Sequence, residues 1–145
     1  MSTTPLEQVT QLYQAYTEQV ASLEANRKFG QGILGFGGRI SDHPCHDQFF
    51  RALHEMTAAF GRDGISPEDA RAVVEKILRE PRRETEGPST FWMMIAAQGA
   101  ARALIPSLEK EDAKALLDWY LQAYRKRERL PVQLQVIKDL EKALS

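Results

Sequence analysis

Glu68-Asp69-Ala70-Arg71-Ala72-Val73-Val74-Glu75 returns 43 residues later as Glu111-Asp112-Ala113-Lys114-Ala115-Leu116-Leu117-Asp118. In each copy two acids face the positive end of a helix dipole, and alanine with aliphatic residues then follows at spacings of three and four. That is the start of an amphipathic helix, met twice at one period. A period of about 40 to 47 residues suits paired-helix units, because a lone hairpin of helices cannot bury its apolar face without a stacked neighbour.

Working outward, Pro44, Pro88 and Pro131 fall at nearly the same interval, each at a position suited to the first turn of a second helix. Ser66-Pro67 caps a helix over 67–80, with Ala70, Val73, Val74, Ile77 and Leu78 on its inner face, and Pro81 ends it. Helices are likewise predicted over roughly 5–26, 44–60, 89–105, 109–126 and 131–144. The one over 89–105 is apolar on nearly every side and is expected to be central. Trp92 is accordingly expected inside, and Trp119, off the inner stripe of its helix, outside. No segment alternates as a strand does.

The expectation is an all-α fold of about six helices in three helical hairpins, a HEAT-like α-solenoid or a compact orthogonal helical bundle, forming a single domain over 1–145. Over residues 67–144 the pattern is similar to HEAT-type repeats in period and helix-turn-helix layout. That resemblance implies an architecture and carries no functional residues across. The first pair fits least well, because the glycine-rich stretch 27–43, with five of the nine glycines, separates its helices. So long a connection, anchored by Phe29, Ile33, Leu34, Phe36 and Ile40, points to a functional loop.

Nineteen basic residues against twenty acidic ones give a net charge of −1, so no overall field draws the molecule to nucleic acid or to an anionic membrane. The longest mainly apolar stretch, Phe91 to Ile105, carries Gln98 and Arg102 and falls short of the roughly 20 residues that span a bilayer. A single cysteine and a start without a basic-then-apolar leader point to the cytoplasm.

Asp42-His43-Pro44-Cys45-His46-Asp47 is the densest group of potential ligands. His43, Cys45, His46 and Asp47 have the chemistry for zinc, although His54 is too far along a helix to join His46 on one ion. Cys45 in a first helical turn is a candidate nucleophile, its thiol activated by the dipole and a neighbouring histidine. The competing account has Asp42 as the helix cap, Cys45 as a buried small hydrophobe and the histidines satisfying nearby polar groups. Gly30-Gln31-Gly32-Ile33-Leu34-Gly35 has the letters of a dinucleotide fingerprint but no preceding strand, so no nucleotide cofactor is expected.

Arg39, Arg82, Arg83, Arg125 and Lys126 fall in near-equivalent positions of the 43-residue period, so stacked hairpins would gather them on one edge. Such an edge suits an acidic protein segment or phosphates; equally, basic residues at helix ends complement the dipole and stay solvated. Without exposed aromatics between the charges, nucleic acid is not the expected partner. The functional expectation is a helical interaction or adaptor protein using a groove and this basic edge. The alternative is a metal-binding or thiol-dependent enzyme centred on residues 42–47.

Overall fold

A computed structural model describes residues 3–28, 43–82 and 88–145. Its described residues form six α-helices and no strand: α1 Pro5–Lys28, α2 Pro44–Arg62, α3 Pro67–Arg79, α4 Pro88–Ala96, α5 Lys110–Ala123 and α6 Pro131–Ala143. Five of the six open on proline, whose fixed φ suits the first turn and whose missing N–H is unneeded there. Thr4 Oγ1 accepts from the Glu7 N–H at 3.1 Å and Ser66 Oγ from the Asp69 N–H at 3.2 Å, so α1 and α3 are capped as their sequences predict. The turn from α2 into α3 passes through Gly64 at φ +75°, a left-handed conformation that glycine adopts without steric cost.

The two copies of the opening motif touch. Arg71 Nε of the first lies 3.8 Å from Asp112 Oδ1 of the second, and Arg79 lays its guanidinium over the Trp119 ring at 4.7 Å. Both contacts join residues about forty apart in the same sense, so α3 and α5 run parallel, side by side. Contacts continue along this row from α1 to α3 to α5. They run along a second row from α2 to residues 97–103 to α6, and α1 packs on α2 as α5 packs on α6.

The predicted helix over 89–105 is α-helical only to Ala96 and tightens into a 3₁₀ helix over Ala97–Ala103. Ala97, Ala100 and Ala101 are buried there, small enough for α2, α3 and α6 to close around the segment. α5 stops at Ala123, short of the predicted 126, and a separate 3₁₀ turn covers Lys126–Glu128. Trp92 and Trp119 reverse their expected places. Phe91, Met94 and Ile95 fill the buried side of α4 and leave Trp92 51% exposed, whereas Trp119 is half-buried beneath Arg79.

Gln98, fully buried, ties three elements together. Its Nε2 donates to the Leu78 carbonyl at 3.3 Å and to the Tyr124 hydroxyl at 3.1 Å, and its Oε1 accepts from the Tyr120 hydroxyl at 2.6 Å. Gln133, also buried, accepts the Leu130 N–H at 2.9 Å, closing the start of α6. No described helix is long and apolar enough to cross a membrane.

Candidate functional site

α2 decides the fate of the histidine cluster. His43 caps it: His43 Nδ1 accepts from the Cys45 N–H at 3.1 Å. Asp42 itself lies outside the described residues. From this start the helical period turns Cys45, His46 and Phe49 toward α1 and lines up His43, Asp47, Phe50, Arg51 and His54 on another side. Tyr16 of α1 stacks on Phe49 with ring centroids 4.2 Å apart, and its hydroxyl lies 2.6 Å from His46 Nδ1, a short buried hydrogen bond.

Of the residues predicted to act as one cluster, Cys45 is turned into the core, while His43, His46 and Asp47 still border one hollow. Cys45 is 1% exposed, and burial pushes its thiol up from the usual value, against the lowering that a helix start would give. A nucleophile needs the opposite. His46 Nδ1 is engaged by Tyr16, His43 Nδ1 by the backbone, and Asp47 pairs with Arg51 at 3.5 Å in open solvent. Among the described residues no three His, Cys, Asp or Glu side chains converge as metal ligands would.

What the same helix does form is a groove. Two hollows border the helix, one lined by Arg51 and the other by its neighbour Phe50. The first, about 540 Å³, lies among His43, His46, Asp47, Arg51 and Met93. The second, about 560 Å³, is mainly apolar and runs between Phe50 and His54 of α2, Gly99 of the central segment, and Pro131 and Val132 of α6. Gly99 sets its depth: a Cβ there would stand 3.2 Å from Val132 Cγ2 and 3.6 Å from His54 Cε1. His54 Nε2 is buried against this floor with no hydrogen-bond partner among the described residues, and burial holds its pKa below the usual imidazole value. At the rim Arg102 is held by Asp139 at 2.6 Å, while the exposed pair Arg51 and Asp47, with side chains 75% and 71% accessible, is loosely held.

Of the predicted basic edge, Arg39 and Arg83 lie outside the described residues. Arg82, Arg125 and Lys126 are exposed at the matching ends of α3 and α5. Gln98 links the Leu78 carbonyl to the Tyr124 hydroxyl at that end, which brings the two chain segments together. Arg125 and Lys126 sit beyond the last turn of α5 rather than in it, since Tyr124 is already extended.

The groove residues Phe50, Gly99 and Val132 carry no motif and were not singled out by sequence. A signal did exist for Gln98, a lone amide inside an apolar run, as buried polar groups demand partners. No family model, curated protein or solved structure matches this chain.

Proposed function

We propose that this chain is a protein-interaction module that takes a segment of a partner protein into the groove between α2, residues 97–103 and the start of α6. The observation that carries the reading is the 560 Å³ apolar hollow between Phe50, Gly99 and Val132, with Arg51 the next residue after Phe50 on α2. A hollow of this size takes one or two large apolar side chains, the usual anchors of a helix or extended peptide laid in a groove. Arg51 supplies complementarity for an acidic residue next to the anchor. Its pairing with Asp47 is solvated, so exchanging one carboxylate for another costs little. A cytoplasmic setting, with its reducing conditions, fits a chain whose single cysteine is buried and unpaired.

The enzyme reading has less support. Its thiol is buried and raised in pKa, and its histidines are occupied in capping α2 and holding α1.

Peptides selected from a displayed random library against the folded protein test the proposal. The expected winners carry an apolar anchor next to an acid, shift the amide signals of Phe50, Gly99 and Val132, and lose binding in Val132→Glu. Peptides whose shifts map away from the groove, or a library that yields nothing above scrambled controls, would overturn it.

A further inference from the structure

We infer that the molecule carries a second docking surface, distinct from the groove, formed by Arg82, Arg125, Lys126 and Arg127 and suited to an acidic segment of a protein. These four cations are exposed, and none makes an ion pair with a described residue. Their neighbours are otherwise engaged: Arg79 pairs with Glu75 at 3.3 Å and covers Trp119, and Glu80 is held by Lys76 at 2.8 Å. Glu128 follows Arg127 directly, exposed at the end of the same 3₁₀ turn, and Glu84 and Glu86, which follow Arg82 in the sequence, lie outside the described residues.

The cations stand on a fixed platform. Parallel packing of α3 and α5 puts their C-terminal ends at one end of the molecule, and Gln98 joins those ends through the Leu78 carbonyl and the Tyr124 hydroxyl. Arg129 then folds the following turn back, donating from Nε to the Tyr124 carbonyl at 2.9 Å and from Nη2 to the Leu121 carbonyl at 3.4 Å. Arg125, Lys126 and Arg127 are therefore presented on backbone that is already ordered, so binding loses little chain entropy there.

The chemistry favours a short acidic peptide over nucleic acid. At this edge Trp119 has one face covered by the Arg79 guanidinium and Tyr124 packs against its ring, so neither stands out as a platform for a base. At the opposite ends of α3 and α5 stand Glu68, Asp69, Glu111 and Asp112, and a molecule of net charge −1 does not extend this positive field far enough for a long polyanion.

Trp119 is the reporter for the test, in a Trp92→Phe background that leaves a single tryptophan. A synthetic Glu/Asp-rich peptide is expected to change its fluorescence saturably, with affinity at least about tenfold weaker at high salt or in the triple charge reversal Arg82→Glu/Arg125→Glu/Arg127→Glu. The triple Arg→Lys variant should retain most of the binding. Val132→Glu, which closes the groove, should leave it unchanged, so this surface and the groove stand or fall separately. Absence of saturable binding overturns the inference, as does binding indifferent to charge reversal. So does tighter binding at this edge by a single-stranded oligonucleotide or by anionic vesicles than by the peptide.

Discussion

In the C-terminal pair of helices, the Tyr120 hydroxyl, the Tyr124 hydroxyl and the amides of Gln98 and Gln133 complete one another's hydrogen bonds inside the protein. In the N-terminal pair, the Tyr13 hydroxyl and His54 Nε2 are buried with no partner among the described residues, and one short bond, Tyr16 to His46, stands between stacked rings. Directional bonds fix α5 and α6 against the central segment. Ring and apolar contacts, with that single bond, hold α1 and α2. The groove draws one wall from each side, Val132 from the C-terminal pair and Phe50 from the N-terminal one.

The largest test of this contrast is Gln98→Leu. It removes three hydrogen bonds and takes from both tyrosine hydroxyls their Gln98 partner, so urea unfolding should show a loss of about 2–4 kcal/mol. Because Gln98 also links the ends of α3 and α5, amide exchange should rise around Tyr124 before it rises in α1. A loss under about 1 kcal/mol would mean that the network is not what orders the C-terminal half.

Next in size is a pair of identical substitutions on one helix. Tyr16→Phe deletes the 2.6 Å bond to buried His46 and should cost about 1–2 kcal/mol. Tyr13→Phe deletes a hydroxyl that has no partner and whose ionisation burial already opposes; it should be neutral or stabilising by up to about 1 kcal/mol. Equal losses in the two variants, read from thermal or urea unfolding, would erase the distinction between bonded and orphaned hydroxyls on α1.

Some of this was legible in the chain and some was not, for physical reasons. Ala70, Val73, Val74, Ile77 and Leu78 are all buried as their 3–4 spacing predicts, since helical period alone decides which side of α3 faces inward. Leu134 of α6, apolar by type, is 46% exposed because Gln133 takes a buried place instead, satisfied by the Leu130 N–H. The reversal of Trp92 and Trp119 has a similar origin. Local apolarity cannot reveal that Arg79, forty residues earlier, covers Trp119, nor that three neighbours already fill the inner side of α4. The His–Cys cluster was visible as composition, but the engagement of His46 depends on α1, whose tyrosine reaches it from thirty residues away.

The smallest effect probes the groove floor itself. Burial holds the His54 pKa in the folded protein below its ordinary value of 6.5, so the folded chain resists protonation that the unfolded chain accepts. The sign follows. Above pH 6.5 His54 is neutral in both states and contributes no pH dependence; as pH falls through 6.5 the unfolded state gains the proton first and stability declines until the lower folded-state pKa is passed. His54→Leu removes both that decline and an unpartnered buried nitrogen. Urea unfolding at pH 7.5 and pH 5.5 should show the variant losing less stability than the parent on acidification. If the parent lost no more than the variant, the imidazole would be hydrated or bonded in solution, and the groove would be wetter at Gly99 than the packing of His54 and Val132 implies.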